Sequence, residues 1–217
     1  MAGRKKDPAR TEATRNDLLK TGYELFTRKD IESVSMIEVA KESGYGTTTL
    51  YRYYSTKPKL VVAVAAWKWE QFVKEYQMKR PAPDPEKLTA AGIFEFYLDS
   101  FLELYDNHRD LLRFNQFFNV YVQSENMDAE TIEPYRGVIR ALKERFHNMY
   151  LKAEADHTLC TDIPEQKMFS ATLHLMLAAV TRYAIGLVYR PENGFDALEE
   201  LQIQKEAMLW KYGASNR

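Results

Sequence analysis

An all-α fold in two parts is what this sequence predicts, on three observations. Apolar residues recur at the helical spacing i, i+3, i+4 along the long segments, and nowhere is there a sustained alternating strand pattern. The stretch SMIEVAKESGYGTTTLYRYYSTKPKL over 35–60 reads as two short helices hinged at a glycine and followed by the start of a third. Pro81, Pro83 and Pro85 then break the pattern and mark the clearest boundary. The expected division is a three-helix head at 1–55, a connecting helix at 56–80 and a larger helical part at 81–217.

The first helix, about 14–29, places Leu18, Leu19, Gly22, Leu25 and Phe26 on one stripe that can pack behind the short helices. Ser35 and Glu38 form a capping box that starts the second helix, with Met36, Val39 and Ala40 on its buried face. Gly44 stands where a left-handed C-terminal cap is wanted, and Tyr45 and Gly46 complete a turn too short to reverse the chain. Helices joined this way cross steeply, as a helix-turn-helix does.

The third helix, about 47–54, turns Leu50 and Tyr54 inward, so Thr48 and Arg52 face away from them with Thr49 and Tyr51 on the flanks. Such a surface suits a DNA groove. Threonines approach base edges or a thymine methyl, tyrosine hydroxyls donate to phosphates, and arginine does either. Thr47, Thr48, Thr49 and Tyr51 are the candidates for contacts at or near the bases, and Ser35, Arg52, Tyr53 and Lys57 for phosphate. Thr56 and Lys57 open the connecting helix, where Pro58 is tolerated because first-turn amides lack intrahelical partners. A lysine beside that positive helix start makes a phosphate clamp.

These residues resemble the TetR family of bacterial transcriptional regulators. The likeness runs from about Leu18 to Leu60. It includes LL and LF in the first helix, IEVA and KESG in the second, and TTTLYRYYSTKPKL for the pattern Leu-Tyr-x-His/Tyr-Phe-x-x-Lys-x-x-Leu. Gly46 stands where serine commonly caps the recognition helix, Thr48 where glycine or alanine is frequent, and Tyr54 where phenylalanine is usual. The departures imply an altered operator sequence.

Charge agrees with this division. The chain carries a net charge of −1, but up to Arg80 there are 16 Lys and Arg against 10 Asp and Glu, and beyond it 14 against 21. The basic part is therefore the head, where phosphate attraction belongs. A single cysteine, Cys160, forms no intramolecular disulfide, and no apolar signal sequence precedes the basic start. A cytoplasmic protein is expected. The apolar stretch 173–189 is short and contains His174 and Arg182, so a core helix is expected there and not a membrane span.

Beyond the prolines, helices are expected at about 85–106, 109–123, 129–155, 164–189 and 196–211. Most aromatic stripes at helical spacing are core. Taken together, however, the aromatic groups here exceed what a small bundle needs. Trp67, Gln71, Phe94, Tyr97, Phe101, Phe114, Phe118, Tyr121 and His174 are the candidates for the walls of a pocket for an apolar or aromatic molecule. The resemblance implies the same, since TetR-like regulators hold an inducer between helices of this domain. The 164–189 helix leaves almost no polar face, and with Leu198, Leu201, Met208 and Trp210 on the 196–211 helix it points to a homodimer through the two; twofold symmetry would present two recognition helices to a palindromic operator.

Neither an enzyme nor a bound cofactor or metal is expected. His108, His147, His157 and His174 are scattered, and there is no glycine-rich phosphate loop, nucleophile elbow or paired cysteine motif. His108 and His174 retain interest only as possible hydrogen-bonding groups of a pocket wall. The alternative is a DNA-binding protein without an effector, whose second domain serves only dimerisation or a protein partner. A ligand-responsive repressor is the expectation preferred here.

Overall fold

The structure, a computed structural model, describes residues 8–80, 86–192 and 194–214. Among these residues the elements are α1 (Pro8–Lys29), α2 (Met36–Glu42), α3 (Thr47–Tyr53), α4 (Lys57–Lys79), α5 (Ala90–Asn107), α6 (Arg109–Glu125), α7 (Ala129–Asp156), α8 (Glu165–Ile185) and α9 (Ala197–Tyr212). The extended pairing among the described residues is one isolated antiparallel bridge, Leu159 to Gly213. The fold is all-α, a helix-turn-helix head followed by a larger helical part.

Packing divides the described chain into two units. The first holds the residues up to Gln71 together with Phe114–Val138, and the second holds Phe72–Arg113 and the residues from Ile139 onward. The division falls inside α4 and not at the prolines, because part of α6 and α7 packs with the head. Pro81, Pro83 and Pro85, with the basic run Gly3 to Lys6, lie outside the described residues.

In the first unit the predicted stripe of α1 is buried, with Leu18, Leu19, Leu25 and Phe26 joined by Val39, Ala40, Leu50, Leu60 and Val64. Gly22 allows α1 and α4 to approach closely: a β-carbon there would stand 3.1 Å from Val64 Cγ2. Phe114 meets Tyr23 edge-on at 5.3 Å and stacks on Phe118 at 6.2 Å, and Phe118 lies 4.8 Å from Tyr135. Burying these rings supports helices that are too short to persist alone.

The second unit closes on Phe94, Leu98, Met149, Met168, Met176 and Met208. The start of α5 is tied to the end of α7. Asp156 Oδ2 accepts from the Ala90 amide at 2.7 Å, and Thr158 Oγ1 accepts from the Ala91 amide at 3.0 Å. Two orphan amides are satisfied in this way. Thr89 accepts from Gly92 as N-cap, which explains why α5 starts at Ala90 and not near Pro85 as the sequence suggests.

α8 also corrects an expectation. It stops at Ile185 with Gly186 as its cap, so Leu187 and Tyr189, expected on the helix, lie beyond it and are 88% and 84% exposed. A β-carbon at Gly186 would collide with Arg182 O at 2.7 Å. The helix buries one stripe, Met168, Thr172, Met176 and Val180, against its own unit. By length and composition alone it is the one helix among the described residues long and apolar enough to cross a membrane.

Candidate nucleic-acid interface and apolar cavity

The interface rests on two caps. Ser35 Oγ accepts from the Glu38 amide at 3.1 Å, and the Glu38 carboxylate in turn accepts from the Ser35 backbone, completing the capping box. Glu38 also pairs with Lys29 at 2.6 Å, which binds α1 to α2 and, first among the causes, holds the carboxyl below its ordinary value. At the other end of α2, Gly44 adopts φ +74°. The Tyr45 amide donates to Ala40 O at 3.1 Å and the Gly44 amide to Lys41 O at 3.2 Å, the two bonds of a Schellman motif. This cap aims α3.

On α3, Leu50 is fully buried, whereas Thr47, Thr48, Tyr51 and Arg52 are exposed and Thr49 is half-buried. The predicted facing is therefore present, with one difference. Tyr54 is buried as expected, but the helix ends at Tyr53 and Tyr54 is its extended C-cap. Burial pushes the Tyr54 phenol above its ordinary value, and Arg15 beside it opposes that shift. Gly46, as N-cap, offers no side-chain bond.

The phosphate candidates differ in how accessible they are. Ser35 is exposed, and its hydroxyl still has a proton to donate while its oxygen accepts from Glu38. Arg52 is exposed, with its guanidinium 5.5 Å from the Tyr53 ring centre. The Tyr53 hydroxyl, by contrast, donates to Thr11 O at 3.3 Å. Lys57 Nζ donates to Glu32 O at 3.0 Å and lies 5.7 Å from the centre of the Tyr121 ring. Burial lowers the Lys57 ammonium's pKa, and the carboxylates of Glu125, Glu32 and Asp30 act in the other direction.

Within the second unit, Phe94, Tyr97, Ser100, Phe101, Leu142, Phe146, Phe169, Thr172 and Leu173 line an apolar cavity of about 90 Å³. Three sequence candidates meet there: Phe94, Tyr97 and Phe101. Phe114, Phe118 and Tyr121 do not line it, being buried in the first unit, where they pack against Tyr23, Tyr135 and Lys57. Trp67 and Gln71 also belong to the first unit and are half-buried, and His174 is exposed on α8. His108 is buried against Phe72, 5.1 Å between ring centres, and is absent from the lining. Phe146, Phe169, Leu142 and Thr172 escaped the sequence reading. Their aromatic and apolar spacing was visible, but only packing tells which helices share a cavity.

Residues 18–64 match the family described as bacterial regulatory proteins, tetR family. The N-terminal head is thus similar to that of TetR-family regulators. Over 70 residues it is 33% identical to two HTH-type transcriptional regulators of Mycobacterium tuberculosis, MT1294 and Rv1255c, covering 32% of this chain and 35% of each relative. The match thus spans about a third of those relatives' length. The whole fold is similar to solved TetR-type structures. FadR from Bacillus subtilis in complex with stearoyl-CoA aligns with TM-score 0.68 at 12% identity, covering 89% of this chain and 97% of that one. The ketosteroid transcriptional regulator KstR2 of Mycobacterium tuberculosis aligns at 0.60 and 13%, covering 96% and 97%. At such identities the likeness is one of fold.

Within this TetR-like head, the departures at 46, 48 and 54 have physical meaning. Gly46 leaves the start of α3 without a side-chain cap, Thr48 adds an exposed hydroxyl and methyl to the outward face, and Tyr54 fills the phenylalanine place with its ring buried.

Proposed function

We propose that the chain is a ligand-responsive, homodimeric, cytoplasmic transcriptional repressor that binds a palindromic operator and leaves it when a small apolar or aromatic effector occupies the second unit. The observation that carries the reading is the exposed face of α3. Thr47, Thr48, Tyr51 and Arg52 stand out from a helix aimed by the Gly44 turn and anchored by buried Leu50, in a head whose residues match a DNA-binding family. Thr47, Thr48, Thr49 and Tyr51 contact bases or their surroundings, and Ser35, Arg52, Tyr53 and Lys57 contact phosphates. Tyr53 and Lys57 do so by exchanging their present carbonyl partners for a phosphate oxygen.

Phe94, Tyr97 and Phe101 form the aromatic wall of the effector site. For the effector to act, it must bind more tightly to the conformation whose heads are wrongly spaced for successive major grooves. α4 is the natural carrier of that change, since Lys57–Gln71 belongs to the first unit and Phe72–Lys79 to the second. α8 and α9 supply the dimer surface, where Leu175, Ile203 and Trp210 are exposed.

The test is binding to duplex DNA over a series of salt concentrations. Lys57→Ala weakens binding to all sequences alike and lowers the salt slope by about one. An unchanged affinity and slope would remove Lys57 from the contact set. The cavity's size favours a second reading: about 90 Å³ is below the roughly 300–1,000 Å³ of ordinary ligand sites. On that reading the second unit only dimerises or binds a protein partner. An operator complex that no extract of small molecules dissolves would favour it.

A further inference from the structure

Lys57 carries more neighbours than a phosphate clamp needs. Its ammonium donates to Glu32 O at 3.0 Å and sits over the Tyr121 ring at 5.7 Å. Tyr121 belongs to α6, is 2% exposed and bonds through its hydroxyl to Glu125, one turn further along. Ser124, on the same turn, places Oγ 3.5 Å from Glu32 Oε1. The carboxylates of Glu125, Glu32 and Asp30 all act on the Lys57 charge. The last turn of α6 and the loop before α2 thus surround a lysine that DNA also requires.

Competition follows from electrostatics. A phosphate must displace the Glu32 carbonyl and outweigh the carboxylates around Lys57. Each of them favours the ammonium where it lies and repels the incoming anion. Tyr121 is fixed by burial, so its ring presents a stationary face to the cation. Glu125 is exposed, and its charge is the part that can be removed without disturbing the core.

We propose that the C-terminal turn of α6, through Tyr121 and Glu125, is an intramolecular competitor for Lys57 that limits DNA affinity from outside the helix-turn-helix. Tyr121 and Glu125 are positioning residues, acting on DNA only through Lys57. The proposal rests on the DNA-binding reading above, and it makes the family of contacts to phosphate depend on residues that no helix-turn-helix pattern contains.

The experiment is a double-mutant cycle on the full chain with Glu125→Gln, Lys57→Ala and the two combined. Binding to heterogeneous double-stranded DNA is followed by fluorescence anisotropy at several salt concentrations. Glu125→Gln should tighten binding by about twofold to fivefold, the size of one partly exposed charge interaction. In the Lys57→Ala background the same change should have no effect. An equal gain in both backgrounds would mean a bulk charge effect and overturn the proposal, as would no gain in either. Wild-type protein that binds no duplex even at low salt would fail the DNA-binding reading itself, a result distinct from a cycle with no coupling. Circular dichroism of the exposed Glu125→Gln variant checks that the helices are intact.

Discussion

Single residues settle the geometry of the head. Gly44 at φ +74° is the one position of the turn where an L side chain is strained, and the Schellman bonds of Gly44 and Tyr45 depend on it. Gly44→Ala should lower stability by about 1 kcal/mol, read from the denaturation midpoint. An unchanged midpoint would show that the cap is not what holds α2 against α3. Thr48, exposed on the outward face, has a different role: Thr48→Ala should alter the preferred operator in a selection from random duplexes while leaving stability unchanged. The capping box, the left-handed glycine and the facing of α3 were legible because each is written in adjacent residues. The partners of Tyr53 and Lys57, Thr11 and Glu32, were not, since they come from 42 and 25 residues away.

Asp156 belongs to the same scale and carries a pH dependence. Burial opposes its charge, but amide bonds from Thr158 and Ala90 and the Thr158 hydroxyl outweigh it, and the carboxyl lies below its ordinary value. A depressed folded value means that the stabilisation is complete above the ordinary aspartate value and is lost as pH falls through the folded one. The melting temperature of the wild type should therefore fall more steeply in acid than that of Asp156→Asn. Parallel acid limbs would contradict the role of Asp156 as the fastening of α5.

At the scale of elements, periodicity located the helices and local chemistry decided their ends. α5 begins where Thr89 caps it, five residues after Pro85, and α8 stops before Leu187 and Tyr189, where Gly186 turns the backbone extended. An apolar pattern continues across such ends, so hydrophobicity alone overran them. Contacts between α1 and α4 pass through Gly22, 3.1 Å short of Val64 for any β-carbon. Gly22→Val would force these helices apart and should lower the stability of the head by about 1–3 kcal/mol, measured by chemical denaturation. Retained stability would mean that the approach is loose. The cavity walls were half legible: aromatic stripes marked Phe94, Tyr97 and Phe101, but Phe146 and Phe169 join them only when α7 and α8 are packed, and Phe114, Phe118 and Tyr121 were drawn into the head's unit instead.

For the molecule as a whole, the sequence's separation into a basic first part and an acidic remainder accords with a head built for phosphate and a second part that is not. The exposed apolar groups of α8 and α9, Leu175 and Ile203 among them, are suited to a second copy of the chain. Native mass spectrometry should give twice 25.3 kDa for the wild type and a shift toward monomer for Leu175→Glu with Ile203→Glu. A wild-type monomer at micromolar concentration would contradict the dimer and, with it, the palindromic operator. The central claim, sequence-specific DNA binding by the α3 face, is tested most directly by footprinting the purified chain on the DNA flanking its own gene. A protected, twofold-symmetric site that loses protection with Arg52→Ala is the result expected. Uniform cleavage on every fragment, at salt low enough to favour any phosphate contact, would contradict it.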